Sequence, residues 1–330
     1  MQSFELQHQN PGFVSLLRFD DGRCYERIVG VENIATQRPI SCETVFDLAS
    51  VSKQFTAFCV LLLEQEGFLA LTDPVGRFIP EVSIYSGDVT LQDLIHHVGG
   101  LPDFVEIALS KGIEFADELS AGEILSHLSE QKKPDFRAGD RHVYSNTGYF
   151  LLALTIERVS GVSFADYART RIFEPLSMDN TFILDGVTQD NRVATGYIKD
   201  DSQKYTVSRC LWNPLGASLI HSSATDLMKW ADNFLTGSVG GNSVIGKMLV
   251  PLASVNVREE AVIDHEDYCF GLWMDKDGDN VKFSHDGSTG GFSTYFERSL
   301  QKSYSLVILS NIEELNVEKM AAELIAEHSL

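Results

Sequence analysis

Strand-like runs stand at both ends of this chain and enclose a middle part typical of helices. Gly12–Phe19 and Arg23–Gly30 flank the turn signal Asp20–Gly22 and predict an antiparallel hairpin. From Leu71 to about Tyr197 the pattern predicts short helices and polar turns. Strand signals then return in four runs: Tyr268–Met274, Asn280–Ser284, Gly291–Glu297 and Tyr304–Asn311. We therefore expect an α/β protein of the α+β type, in which an antiparallel sheet flanked by helices carries an inserted, mostly helical lobe.

This arrangement predicts two packed parts rather than two separate proteins. We expect residues 1–72 and 205–330 to form a discontinuous sheet domain, completed by an amphipathic helix over Glu314–His328, and residues 73–204 to form the helical domain. No linker rich in Pro, Gly and Ser divides the 330 residues, so the two should act as a single catalytic unit. The cleft between them is the natural place for a site.

The bulk properties exclude several classes of partner. A net charge of −21 argues against binding to nucleic acid or to anionic membrane surfaces. No run approaches the roughly 20 apolar residues that a membrane-spanning helix needs. Met1–His8 lacks a basic head followed by an apolar block, so the sequence as it stands predicts a cytoplasmic protein, or a periplasmic or secreted one if a leader has been removed.

The candidate metal ligands carry little signal, and we expect neither a metal nor a cofactor. Five scattered cysteines without a C-x-x-C pair predict free thiols. His96 and His97 are adjacent, and adjacent side chains on a helix do not face one another, so we expect structural histidines. The acidic turn Asp275–Asn280 resembles half a calcium loop, but its glycine is misplaced, which favours a solvated hairpin.

The chemistry is indicated by Ser50 and Lys53, which are three residues apart at the head of an apolar run. A helix that begins near Ser50 would place both side chains on one face. A serine hydroxyl is a weak nucleophile that needs a base to accept its proton, and a lysine can be that base only when it is neutral. Burial against the apolar helix face could lower the lysine pKa enough. The S-x-x-K pattern is too short to be specific alone.

Two later motifs complete a recognisable set. Tyr144-Ser145-Asn146 is expected on a loop of the helical lobe, and His285-Asp286-Gly287 at the end of a late strand. With Ser50 and Lys53 they resemble, in order and spacing, the penicillin-recognising serine hydrolases. The subgroup that the chain resembles contains class C β-lactamases, D-alanyl-D-alanine carboxypeptidases, D-aminopeptidases and related esterases. The similar segments span nearly the whole chain: Thr44–Ala57, Tyr144–Gly148, Pro175–Met178, Thr225–Leu227 and His285–Phe292.

The resemblance implies a role for each motif residue. Ser50 would attack a carbonyl and become acylated, while Lys53 and Tyr144 share the proton transfers; which of the two is the base stays open. The backbone amides of Ser50 and Ser288 would form the oxyanion hole. Asn146 would orient the acyl side chain or Lys53. Substrate binding would further involve the strand residues His285, Gly287 and Ser288.

One departure from the resemblance bears on the substrate. His285 stands where class C β-lactamases have a lysine, a permanent cation that recognises a carboxylate, whereas histidine is mostly neutral at pH 7. Efficient cephalosporin hydrolysis is therefore disfavoured. Asp286 could hold His285 protonated or could face solvent, and we favour solvent.

Three hypotheses follow. The first is a serine hydrolase that acts, through a Ser50 acyl-enzyme, on a D-amino-acid-containing peptide, amide or small ester, as a carboxypeptidase, aminopeptidase or esterase does. The second is a class C-type β-lactamase. The third is a catalytically silent relative that binds muropeptides. The expected partner is a small molecule or a short peptide, and the sequence leaves the oligomeric state undetermined.

Overall fold

A six-stranded antiparallel sheet dominates the computed structural model, which describes residues 9–252, 267–278 and 280–328. Its strands follow the order β10-β11-β12-β13-β1-β2, so the first hairpin pairs with strands from the last fifth of the chain. In full, the strands are β1 Phe13–Phe19, β2 Cys24–Val29, β3 Val31–Asn33, β4 Arg38–Pro39, β5 Phe46–Asp47, β6 Phe182–Ile183, β7 Tyr197–Lys199, β8 Tyr205–Val207, β9 Ile220–Ser222, β10 Trp273–Asp277, β11 Asn280–Thr289, β12 Phe292–Ser299 and β13 Tyr304–Ser310.

Helices cover both faces of this sheet. They are α1 Lys53–Gln65, α2 Ser83–Ser86, α3 Leu91–Ile95, α4 Phe104–Ser110, α5 Ala121–Ser129, α6 Asn146–Ser160, α7 Phe164–Ala168, α8 Ala224–Thr236, α9 Gly241–Met248 and α10 Val317–Glu327. Side chains along β1 point alternately to the two faces of the sheet. Phe13 and Leu17 lie in one buried cluster with residues of α10, whereas Val14 and Leu16 lie in the main core, which also contains residues of α1 and α8. The antiparallel sheet with flanking helices is confirmed.

The part of the chain from α2 to α7 is helical, as the sequence pattern indicates. Capping signals in the sequence explain several helix starts. Thr90 and Asp93 form a reciprocal capping box on α3, and Ser120 and Glu123 do so on α5. Helix α6 ends at Gly161, whose φ of 75° suits the left-handed cap. The domain boundaries at 72/73 and 204/205 stay a prediction.

One predicted strand is wrong over most of its length. Tyr268–Met274 was expected to be extended, but β10 begins only at Trp273. The residues before it form a buried turn in which the Cys269 amide donates to Leu272 O at 2.7 Å. Gly271 has a φ of 78°, and a Cβ there would lie 2.5 Å from the Gln54 Cα, so the apolar run packs as a turn against α1.

Two other boundaries also differ from expectation. The Tyr144-Ser145-Asn146 motif, expected on a loop, runs into α6 at Asn146, because the Ser145 hydroxyl caps that helix by accepting the Gly148 amide. The His285-Asp286-Gly287 segment lies inside β11 rather than at its end, since that strand stays paired with β12 as far as Thr289. The acidic turn joins β10 to β11, and Asp277 pairs with Asn280 across it. Asp279 and the segment Met1–His8 lie outside the described residues.

Within the described ranges, no helix has both the length and the apolar character needed to cross a membrane.

Candidate active site

Ser50 lies in a single 3-10 turn, Ala49–Ser52, that continues directly into α1. The neighbouring Val51 and Phe55 are fully buried and anchor the turn in the core, which leaves Ser50 partly exposed in the cleft. The spacing of three residues brings Lys53 Nζ to 3.1 Å from Ser50 Oγ, within hydrogen-bonding distance. The proximity expected from the S-x-x-K pattern is therefore present.

Lys53 is a buried amine with defined partners. Its side chain is fully enclosed, and its Nζ donates to Asn146 Oδ1 at 3.0 Å and to the carbonyl of Ala217 at 2.9 Å. Burial lowers the pKa of Lys53 to about 7, although the carboxylates of Asp103 and Asp286 act in the opposite direction. A substantial fraction of Lys53 is therefore neutral near pH 7.

The contacts of Lys53 also determine where its lone pair points. A neutral amine has two N–H bonds and one lone pair. Asn146 Oδ1 and Ala217 O can only accept, so they take the two protons. The lone pair is then directed at the remaining neighbour, the Ser50 hydroxyl. This is the geometry in which Lys53 can accept the proton of Ser50.

Tyr144 lies beside both Ser50 and Lys53. The residue is 36% exposed, and Lys53 Nζ lies 4.8 Å from the ring centre. Desolvation raises the pKa of Tyr144, while its hydrogen bond with Ser50 acts in the opposite direction. The phenol is therefore protonated around neutral pH and can donate a hydrogen bond near the Ser50 oxygen.

Asp103 positions the Tyr144–Asn146 segment and was not predicted from the sequence. It caps α4 by accepting the Val105 amide at 2.9 Å. Its other oxygen accepts the Asn146 amide at 2.6 Å and the Ser145 hydroxyl at 3.2 Å. A Pro-Asp pair before a helix is a capping signal, but nothing in the local pattern indicates the contact with a segment about 40 residues further along the chain.

His285 is held as a neutral imidazole. Its Nδ1 lies 2.5 Å from the backbone carbonyl of Asp286, which can only accept, so Nδ1 carries the proton. Its Nε2 then accepts from the hydroxyl of Tyr268 at 3.3 Å. Burial, and next the charge of Lys53, lower the pKa of His285. The Asp286 side chain is exposed, as favoured from the sequence.

Gly287 lets β11 approach the Ala49–Ser52 turn. A Cβ at this position would lie 2.8 Å from the Ser50 amide nitrogen and 2.6 Å from the Leu48 carbonyl oxygen, closer than real side chains come. The close approach therefore requires glycine. Ser288, which follows it, is exposed in the cleft beside Ser50.

Two cavities meet at Ser50, and Tyr144 and Ser288 line both of them. The larger, of 620 Å³, is lined on one side by apolar residues of α4 and of two loop segments. Those residues include Phe104, Val105, Phe115, Trp212 and Pro214. The second cavity, of 540 Å³, is lined by His142, Trp273, His285, Asp286 and Gly287. Every residue named as a site candidate borders one of the two cavities except Lys53, which lies buried behind Ser50.

The adjacent histidines have structural contacts. His97 Nδ1 accepts the Ser145 amide at 3.0 Å, and its ring lies 4.3 Å from that of Tyr144. His96 Nδ1 lies 3.0 Å from the Gln92 carbonyl. Over the residues that the structure covers, no group of three or more His, Cys, Asp or Glu is arranged to hold a metal ion.

The arrangement can be compared with known proteins. The profile of the beta-lactamase family matches residues 2–330. Penicillin-binding protein 4* of Bacillus subtilis is 29% identical over 325 residues, which are 93% of this chain and 69% of that protein. Protein flp of Staphylococcus aureus (strain MW2) is 26% identical over 95% of this chain, which spans only 62% of its length.

Solved structures share the fold. The octameric penicillin-binding protein homologue from Pyrococcus abyssi superposes with a TM-score of 0.79 at 26% identity, covering 93% of this chain and 70% of that one. The D-amino acid amidase from Ochrobactrum anthropi SV3, complexed with L-phenylalanine amide, superposes with a TM-score of 0.74 at 22% identity, covering 92% of this chain and 87% of the amidase. At that identity the amidase supports the fold alone.

Proposed function

The chain belongs to the beta-lactamase family, and from this premise we propose that it is a serine hydrolase working through an acyl-enzyme on Ser50. The observation that carries the proposal is the 3.1 Å approach of the buried Lys53 amine to the Ser50 hydroxyl, with two acceptors other than Ser50 available for the protons of its neutral form. A serine with such a neighbour is an activated nucleophile.

In the proposed cycle Ser50 Oγ attacks a substrate carbonyl while Lys53 accepts the hydroxyl proton. Asn146 orients Lys53, which is one of the two roles expected for it, through the contact at 3.0 Å. Protonated Tyr144 stands beside the same oxygen and is suited to pass a proton to the leaving group. Water then hydrolyses the acyl-enzyme, with the same groups acting in the reverse sense.

The oxyanion of each tetrahedral intermediate would be stabilised by the backbone amides of Ser50 and Ser288. Both residues border both cavities, and Gly287 allows the strand that carries Ser288 to approach the Ser50 turn. Donors of this kind contribute about 3 kcal/mol each to the stability of a transition state.

For the substrate we propose a D-amino-acid amide, short peptide or small ester with an apolar side chain. The 620 Å³ cavity beside Ser50 has aromatic walls from Phe115 and Trp212, whose rings are 4.5 Å apart. Cavities of this size and character suit small organic ligands. The solved amidase with this fold is named for D-amino acid amides, which agrees with that choice of substrate.

A class C-type β-lactamase is the less favoured alternative. The neutral state of His285, whose Nε2 is occupied by the Tyr268 hydroxyl, leaves no permanent cation at the third motif for the carboxylate of a cephalosporin.

The test is a substrate panel assayed with the parent protein and with Ser50→Ala. The panel pairs D- and L-alanine and D- and L-phenylalanine p-nitroanilides with p-nitrophenyl acetate and a chromogenic cephalosporin. We expect Ser50-dependent turnover with preference for the D-enantiomers and slow use of the cephalosporin. Turnover that survives in a folded Ser50→Ala variant would refute the nucleophile, and cephalosporin turnover as fast as that of the best ester would favour the β-lactamase.

A further inference from the structure

Ala49, immediately before the nucleophile, has a backbone conformation that alanine avoids. Its φ is 47°, in the left-handed region, where the Cβ of an L-residue approaches the following carbonyl oxygen. The residue is buried, with 1% of its surface exposed, and it borders the 620 Å³ cavity. A strained peptide beside a reacting group persists only when surrounding contacts hold it.

The flanking residue Leu48 is held from two sides. Its amide donates to the Ile220 carbonyl at 2.8 Å, and its own carbonyl accepts from Thr294 Oγ1 at 2.8 Å. The Val51 amide donates to the same carbonyl at 3.1 Å. These bonds locate the start of the turn, and the last of them closes the turn over Ala49 and Ser50.

A further hydrogen bond, made by the Ala49 amide itself, goes to the side chain of Asp47. The Ala49 amide donates to Asp47 Oδ1 at 2.8 Å, which closes a side-chain turn over two residues. Asp47 is itself located by β5, where it pairs with His221 of β9. His221 Nε2 lies 3.8 Å from Asp47 Oδ2.

The ring of His221 is in turn fixed. Its Nδ1 lies 3.0 Å from the Leu219 carbonyl and therefore donates, and the ring stacks on Phe182 with centres 5.8 Å apart and planes 7° apart. Asp47 and His221 border neither cavity that reaches Ser50; they line a third cavity of 790 Å³. Asp47 therefore does not line the cavities at Ser50, and its hydrogen bond to the nucleophile segment is the one from the Ala49 amide.

We propose that Asp47 is a positioning residue that holds Ala49 in its left-handed conformation and thereby aims the Ser50 hydroxyl at Lys53 and the Ser50 amide into the cleft. His221, the cross-strand neighbour of Asp47, lies beside the carboxylate. The inference rests on the proposed function, because it concerns the orientation of the Ser50 nucleophile.

The test measures acylation in single turnovers, which separates the acylation rate from the apparent Kd of the ester. Asp47→Ala removes the acceptor, and we expect the acylation rate to fall about thirtyfold to a hundredfold with the Kd changed less than about twofold, since small misplacements of a reacting group have effects of this size. Asp47→Asn keeps an acceptor oxygen, and we expect its rate to stay within about threefold of the parent.

The matched control is Asp200→Ala. Asp200 Oδ1 accepts the amide of Ser202, two residues on, at 2.8 Å, which repeats the Asp47–Ala49 contact on an exposed turn. Asp200 lines neither cavity at Ser50. Its loss should leave the acylation rate unchanged. Near-ultraviolet circular dichroism and Tm report whether each variant is folded.

A second variant keeps the proposal testable if Asp47→Ala does not fold. Glycine adopts positive φ about as readily as negative φ, so Ala49→Gly should acylate near the parent rate and should recover part of the rate in an Asp47→Ala background. The acylation rates of Asp47→Asn and Ala49→Gly can be compared with that of the parent even if Asp47→Ala does not fold.

The proposal is overturned if folded Asp47→Ala acylates as fast as the parent, if Asp47→Asn loses as much as Asp47→Ala, or if Ala49→Gly combined with a slow Asp47 variant gives no recovery. These outcomes differ from failure of the proposed function, in which Ser50→Ala would retain activity.

Discussion

The pH dependence of acylation tests the protonation state of Lys53. Because burial disfavours the charged amine, the pKa of Lys53 falls from its ordinary value of 10.5 to about 7 in the folded protein. The neutral form, which is the base, is populated above that pKa and lost below it. The acylation rate should therefore rise with pH.

The size of the effect follows from the fraction of neutral lysine. With a pKa of about 7, about 9% of Lys53 is neutral at pH 6 and about 91% at pH 8, so kcat/KM should increase about tenfold between them. The logarithm of kcat/KM should rise with a slope that approaches one below pH 6 and should level off above pH 8. An unperturbed lysine would be only about 0.3% neutral at pH 8 and would give a midpoint above pH 10. His285 should add no step there, since its pKa is lowered from an ordinary value of 6.5.

The assay measures kcat/KM for the best p-nitroanilide between pH 5 and 10. It is carried out on the parent protein and on the variants Lys53→Arg and Lys319→Arg. Arginine stays charged, so Lys53→Arg should lose the pH-dependent activity, whereas exposed Lys319 on α10 is a control that should leave the profile unchanged. A flat profile, a midpoint near 10, or the same midpoint in Lys53→Arg would refute the assignment of Lys53 as the base.

Three further predictions concern the cleft and its supports. Phe115 is 44% exposed and forms an aromatic wall of the cleft, so Phe115→Ala should lower kcat/KM for the D-phenylalanine substrate about tenfold relative to the D-alanine substrate. The control is Phe68→Ala, at a residue that is 59% exposed and outside the cleft, and it should leave this ratio unchanged. An unchanged ratio in Phe115→Ala would exclude the aromatic wall from specificity. Gly287→Ala should abolish most acylation and lower stability by about 1–3 kcal/mol in urea unfolding, because its Cβ would meet the Ser50 amide; full activity would contradict the close approach. Asp103→Ala should lower the free energy of unfolding by about 1–3 kcal/mol because it leaves the Asn146 amide without its partner, whereas a change under about 0.5 kcal/mol would show that the carboxylate is dispensable.

The sequence was informative where the signal is local. Hairpin residues and apolar periodicity located β1, β2 and α10 within a few residues, because each signal depends on a handful of neighbours. The i, i+3 spacing of Ser50 and Lys53 likewise predicted their contact, since the backbone alone determines it.

The sequence was uninformative where distant segments determine the outcome. The partner of His285 Nε2 is the hydroxyl of Tyr268, which lies in a segment wrongly predicted as a strand because the left-handed Gly271 could not be recognised in an apolar run. The left-handed Ala49 left no signal either, since alanine is not a residue associated with positive φ. Nothing in the sequence near Lys53 indicates that the carbonyl of Ala217, from a distant segment, accepts one of its protons.

The intact mass of the protein during turnover tests the central claim most directly. The protein is mixed with p-nitrophenyl acetate or benzylpenicillin and quenched in acid within seconds. Its intact mass is then measured by mass spectrometry and compared with that of Ser50→Ala treated in the same way. The account predicts an increase by one acyl group, or by one penicillin, that maps to the Ser50 peptide and is missing from a folded Ser50→Ala variant. An ester hydrolysed by the parent without any Ser50-dependent adduct, at a quench time shorter than one turnover, would contradict it.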